Sequence, residues 1–237
     1  MPAEQQRFPY AWAIVSYLLV PAALIGLLWK GLRYRPYLRR WAERFAIGLK
    51  PSNQRTIWVH AVSVGEVRSA VPLIRELMLQ YPKHRMLVTT MTPTGAEQVE
   101  QLFGNTVEHC YLPYDLPDVV ARFLDNVRPS LAVIAETEFW PNLFAACRRK
   151  GVPLVLANVR ISAHSLAGYL RVPATARAMF TSADLVCAQT RTDAQRLRNL
   201  GVAEHRLFVT GNLKFDAPVS DTLIARGQLL REYWGTN

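Results

Sequence analysis

Cysteine is scarce in this sequence, and the three present are scattered. Cys110, Cys147 and Cys187 share no CxxC spacing, and a single histidine, His109 beside Cys110, adjoins any of them. That excludes a disulfide framework and a thiolate zinc site, and it fits reduced, buried thiols in a cytosolic domain. Phosphate loops are missing too. Neither GxGxxG nor GxxxxGK[ST] follows the first apolar strand, so nucleotide binding within this domain has little support. The histidines have no mutual spacing suited to a metal, and no metal or cofactor is expected. Acidic residues are few: 18 Asp and Glu stand against 28 Lys and Arg, for a formal charge of +10. Nucleic acid is the first partner such a charge suggests. Its distribution argues otherwise, because residues 30–50 alone carry a net +6.

Charge is absent altogether from residues 8–29, FPYAWAIVSYLLVPAALIGLLW. A bilayer-crossing helix needs about 20 apolar residues. Tyr10, Trp12 and Trp29 sit at its ends as an aromatic belt would place them. A cleaved signal would carry its positive charge ahead of the apolar run; here the charge follows. Pro21 and Gly26 leave an interfacial helix as the alternative. The expectation is a single-pass inner-membrane anchor with the body of the protein on the cytoplasmic side. Residues 33–49 are expected to form a basic, aromatic-rich helix on the anionic membrane surface.

After Pro51 apolar runs recur at Ile57–Val62, Met86–Thr90, Val107–Leu112, Leu131–Ala135, Leu154–Ala157, Leu185–Ala188 and Leu207–Val209. Helical patterns lie between most of them, at 67–79, 94–103 (with Thr94 as N-cap), 117–126, 141–149 and 192–200. Buried strands alternating with helices predict an α/β fold: a doubly wound, Rossmann-like parallel sheet. The expected division is 1–50 as membrane anchor and basic helix, 51–217 as the α/β domain, and 218–237 as a helical linker into an absent domain. Residues 220–234 read as a helix with nothing in this domain to pack on.

Ligands of such sheets bind at the carboxyl ends of the strands. The polar residues there are His60, Ser63, Gly65 and Glu66 after the first strand, with Arg68 just behind, and Thr92 in TTMTPTG. Glu136 and Glu138 follow in ETEFWPN, Arg160 and Ser162 in NVRIS, and Lys214 in GNLKFD. Glu66 falls where strand gives way to helix. A helix N-terminus favours its ionised form, and an ionised carboxylate in a cleft can act as a general base. The plainer reading is a charge tuning the first helical turn. Alternation would point Glu136 and Glu138 to one side if the strand continues that far. An ion pair with Arg160 is the structural alternative for them. Lys214 reads either as a solvated lysine or as a group that holds negative charge. His60 reads more readily as a packed histidine than as a ligand.

HAVSVGEVRSAVPLI, TTMTPTGAEQV, YLPYDLP, ETEFWPN, NVRIS, AQTRTDAQRLRNLG and VTGNLKFD occur in this order. With the anchor, they resemble the 3-deoxy-D-manno-octulosonic acid (Kdo) transferases of Gram-negative bacteria, over essentially the whole chain. The resemblance implies the N-terminal, acceptor-binding half of a two-domain GT-B glycosyltransferase of lipopolysaccharide biosynthesis. Such an enzyme moves Kdo from CMP-Kdo to the lipid A precursor, lipid IVA, with inversion and without a tightly bound metal. It further implies Glu66 as proton acceptor and Glu136 and Lys214 as transition-state stabilisers. His60, Ser63, Gly65, Arg68, Thr92, Glu138, Arg160 and Ser162 are candidate acceptor contacts. The donor half of the family is absent, so the chain alone is expected to be inactive. Rival readings are a membrane-anchored fragment that only binds the lipid acceptor, a nucleotide-sugar epimerase or dehydrogenase, and a nucleic-acid binder.

Overall fold

A computed structural model describes residues 10–216 and 221–235. The start of the apolar run at residues 8–9 and the domain boundary at 217/218 lie outside the described residues. Seven strands form one parallel sheet: β1 (Thr56–His60), β2 (Arg85–Thr90), β3 (Glu108–Tyr111), β4 (Pro129–Ala135), β5 (Leu154–Val159), β6 (Leu185–Ala188) and β7 (Leu207–Val209). Their spatial order is β3-β2-β1-β4-β5-β6-β7. The chain therefore winds outward first in one direction and then in the other. The two directions part between β1 and β4, which pair in parallel from Ile57↔Leu131 to His60↔Ile134.

The helices are α1 (Tyr10–Arg33), α2 (Val64–Gln80), α3 (Pro93–Phe103), α4 (Pro117–Val127), α5 (Pro141–Arg149), α6 (Ala163–Tyr169), α7 (Pro173–Phe180), α8 (Arg191–Asn199) and α9 (Asp221–Trp234). Alternation along the strands divides the core between the two faces. Ile57, Val59, Met86, Val88 and Val133 pack under Val67, Ala70 and Ile74 of α2 and Val99 and Phe103 of α3. Trp58, Leu87, Ala132, Ile134, Leu154 and Leu156 pack under α4, α5, α7 and α8. Trp58 is fully buried against Phe123, with its indole N–H donated to the Thr89 hydroxyl at 2.9 Å. Residues 225–234 of α9 are all exposed, so this part of the helix has no place in the core.

Several expectations need correction. The N-cap of α3 is Thr92, not Thr94: its hydroxyl accepts the Gly95 N–H at 3.1 Å, with Pro93 at the first helical position. Helix α2 starts earlier than periodicity indicated, and Glu66 lies inside its first turn. Cys187 is half-buried, unlike Cys110 and Cys147; all three are free thiols. The basic stretch is not a helix over 33–49. It forms two 3-10 turns, Arg35–Leu38 and Trp41–Phe45, separated by Arg40 at φ 54° and closed by Ala46 at φ 54°. The cause is a set of tertiary contacts. Arg40 donates to the His109 carbonyl at 2.7 Å. Arg44 turns inward, 2% exposed, stacks over the Tyr111 ring and donates to the Met91 carbonyl at 3.0 Å. Part of the positive charge thus fastens the segment to the sheet edge.

Candidate active site at the sheet switch point

Every strand runs the same way, so all the polar loops open on one rim. The crevice between β1 and β4 is the place where such folds bind ligands. Glu66 and the pair Glu136/Glu138 flank it, following β1 and β4 respectively.

The sequence Ser63-Val-Gly-Glu66 has the spacing of a capping box. Glu66 reaches back and accepts the Val62 N–H at 2.6 Å on one oxygen and the Ser63 hydroxyl at 3.0 Å on the other. This confirms a structural duty for the carboxylate. A carboxylate has about four acceptor sites, so two bonds leave capacity for a further proton donor. The helix N-terminus was expected to hold Glu66 ionised. Burial outweighs it: Glu66 is raised above its ordinary value by desolvation, opposed by the Val62 and Ser63 bonds and reinforced by the Glu136 charge. A raised carboxylate is a stronger proton acceptor once ionised.

Strand β4 ends at Ala135, so simple alternation does not govern the two glutamates beyond it. Glu136 sits in the left-handed region at φ 62°, with its N–H donated to the Ala157 carbonyl. For a residue other than glycine this is a costly conformation, of the kind that clusters at functional sites. Glu138 is pushed up to about 7, first by burial and then by the charges of Glu66 and Glu136. The Trp140 indole N–H, buried beside it, opposes this rise as a donor toward the Glu138 carboxylate. Three glutamates therefore share one partly desolvated field. An ion pair between them and Arg160 does not form among the described residues. Arg160 is exposed, and the Thr137 hydroxyl instead bridges its backbone, donating to its carbonyl at 2.6 Å and accepting its N–H at 3.1 Å.

Lys214 lies exposed in the 3-10 turn Leu213–Asp216, which packs against α2, the helix that carries Glu66. Asn158, inside β5, anchors this turn: its Oδ1 accepts the Leu213 N–H at 3.1 Å. Asn158 is buried and left-handed at φ 59°. Sequence reasoning missed it. A lone asparagine within the apolar run VLANV was the available signal.

The remaining candidates divide by environment. Gly65 is exposed, and a Cβ there would meet nothing closer than the Ser63 hydroxyl at 3.9 Å. Arg68 is exposed and donates to Gln98 of α3 at 2.8 Å. Thr92 and Ser162 spend their hydroxyls capping α3 and α6. His60 departs from the expectation of a substrate contact. It is fully buried, its Nδ1 is 2.9 Å from the Thr89 hydroxyl, and burial lowers it to about 4. Beside the carboxylates, a largely apolar cavity of about 200 Å³ opens between α1 and the rim, lined by Trp12, Leu19, Val20, Tyr114, Phe139 and Trp140. Among the described residues no group of three or more His, Cys, Asp or Glu is arranged to hold a metal.

A Rossmann-like domain with clustered carboxylates at its switch point defines a ligand-binding α/β domain. Comparison with known proteins makes it specific. The family described as 3-Deoxy-D-manno-octulosonic-acid transferase (kdotransferase) matches residues 39–217. The 3-deoxy-D-manno-octulosonic acid transferase of Haemophilus influenzae is 38% identical over 231 residues, 96% of this chain and 53% of that protein. The protein of the same name from Bordetella pertussis is 39% identical over 178 residues, 72% of this chain and 40% of that protein. The chain belongs to the Kdo transferase family. It spans about half the length of the curated relatives it matches. Among solved structures it is similar to the UDP-GlcNAc 2-epimerase from Neisseria meningitidis bound to UDP-GlcNAc, with a TM-score of 0.54 and 15% identity over 73% of this chain and 50% of that one. At that identity the likeness concerns the fold alone.

Proposed function

We propose that this chain is the acceptor-binding half of an inverting Kdo transferase acting on the lipid A precursor, lipid IVA. The donor, CMP-Kdo, is held by a second domain that corresponds to the remaining length of the relatives. Glu66 takes the proton of the acceptor hydroxyl as that oxygen attacks the anomeric carbon and CMP leaves. Glu136 and Lys214 fix the geometry and charge around that centre, and Glu138 completes the carboxylate cluster. The protein works at the cytoplasmic face of the inner membrane. The apolar cavity behind Trp140 has the character of a seat for part of an acyl chain.

The observation that carries this reading is the position of Glu66: at the switch point, raised by burial, with acceptor capacity left over. The test is transfer from CMP-Kdo to tetra-acylated lipid A precursor by the chain joined to a donor domain. Glu66→Gln keeps an oxygen for the Val62 N–H but has no proton-accepting carboxylate. Loss of transfer in Glu66→Gln, with folding and acceptor binding intact, supports the base. Near-normal transfer returns Glu66 to a capping duty alone. The chain without a donor domain is expected to bind the acceptor and transfer nothing.

A further inference from the structure

Helix α1 is long and apolar enough to cross a membrane over Trp12–Arg33. Its contacts tell a different story. Near its start, the Trp12 indole N–H donates to Asp115 at 3.2 Å, and the Trp12 ring meets the edge of Phe139. One turn on, Asn142 donates to the Ser16 hydroxyl at 3.3 Å and Tyr17 donates to Asp118 at 2.5 Å. Just past its end, Tyr34 donates to Glu97 of α3 at 3.1 Å. The chain then doubles back on the helix. Leu38 lies on Gly31 so closely that a Cβ there would sit 2.5 Å from its Cγ.

Trp12 and Tyr34 are 22 residues apart, about 33 Å along a helix. The hydrocarbon core of a bilayer is about 30 Å thick. Their partners, Asp115 in the loop after β3 and Glu97 in α3, belong to the same α/β domain. A helix that crossed the bilayer would leave one partner on the wrong side of it. Trp12, Ser16, Val20, Leu27 and Gly31 form the less exposed stripe at helical spacing, facing the domain and the 35–38 turn. The opposite face is apolar and bare: Ile14, Leu18, Ile25 and Leu32 are 63%, 74%, 67% and 83% exposed. Exposed Lys30, Arg33, Arg35 and Arg39 continue it.

We propose that α1 does not cross the bilayer. It lies in the plane of an anionic membrane surface, on the same side as the α/β domain, with the Ile14–Leu32 face among the acyl chains. The basic residues that follow match the anionic headgroups. This stands independently of the transfer chemistry.

The test uses the whole chain in sealed membrane vesicles of one orientation from expressing cells. Single cysteines are placed ahead of α1 (Ala3→Cys) and in the domain (Ser52→Cys), with Cys187→Ala as background, and probed with a membrane-impermeant maleimide. The expected result is that both positions label from the same face, with no change in their ratio when detergent opens the vesicles. Labelling of the two from opposite faces establishes a span and overturns the proposal. A second arm compares pelleting of the purified chain with phosphatidylglycerol and phosphatidylcholine vesicles. At least a fivefold preference for the anionic lipid is expected. Equal binding to both, or none, overturns the assignment to an anionic surface.

Discussion

Asn158 holds the turn that carries Lys214, through its Oδ1 and the Leu213 N–H. The same residue bears a left-handed backbone, and its carbonyl accepts the Gln189 side-chain amide at 3.0 Å. Asparagine tolerates this conformation better than most residues. Asn158→Ala loses both the tolerance and the bond, and is expected to cost about 2 kcal/mol. Asn158→Gly keeps the backbone and loses only the side chain. In the complete enzyme both variants should lower transfer through a misplaced Lys214, with Asn158→Gly the more stable of the two. Denaturant unfolding and transfer kinetics read these effects separately. Normal transfer by Asn158→Gly would show that the turn positions itself.

Gly65 precedes the candidate base and faces open space. Alanine there adds no clash and removes a helix-weakening glycine, a gain of up to about 1 kcal/mol. If an acceptor sugar approaches this backbone, the new methyl stands in its way. Gly65→Ala is therefore expected to leave the melting temperature unchanged or higher while transfer falls more than about tenfold. Thermal unfolding beside an assay of the complete enzyme decides. Unimpaired transfer would mean that the acceptor passes elsewhere on the rim.

Glu138 and His60 give opposite pH signatures. Glu138 is raised from its unfolded value of 4.5 to about 7, so the fold binds its proton more tightly. Its contribution is fully present below about pH 4.5 and is lost as pH rises through 7. Glu138→Gln should match wild type near pH 4.5 and melt a few degrees higher at pH 8. His60 is lowered to about 4, so it favours the fold above pH 6.5 and ceases to do so as pH falls toward 4. Its imidazole resonances should stay unshifted down to about pH 5. A His60 titration near 6.5 would mean that the ring is open to solvent.

Much of the site was readable because its signals are local. The strand–helix rhythm placed every strand near its observed position. In a parallel sheet that alone gathers Glu66, Glu136, Glu138 and Lys214 on one rim. What escaped was long-range. Arg44 looked like one more surface charge, because nothing nearby in sequence announces Tyr111 or the Met91 carbonyl as its partners. The direction of the helix-end effect on Glu66 was legible; the larger effect of burial depends on packing from other elements. Helix α1 has the length and apolarity of a span, with Pro21 and Gly26 as the signs against it, yet its partners lie about a hundred residues further along the chain. Ser16 and Gly31, small residues on one helical face, were the trace that docking left in the sequence.

Asp115 joins two helices that meet only in the fold. Its carboxylate accepts the Asn142 and Leu143 N–H groups at 3.0 and 2.8 Å, capping the first turn of α5, and also accepts the Trp12 indole from α1. Asp115→Ala would strand two buried backbone donors, at about 1–3 kcal/mol each, and release Trp12. Trp12→Phe would release α1 while sparing the cap. Hydrogen exchange is therefore expected to quicken over residues 12–20 in both variants, but over the first turn of α5 only in Asp115→Ala. Global stability should fall by several degrees in that variant and little in Trp12→Phe. If Trp12→Phe leaves exchange in α1 unchanged, the helix is held by its apolar contacts with Phe139 and Val20's neighbours, and the indole bond adds direction without holding it in place.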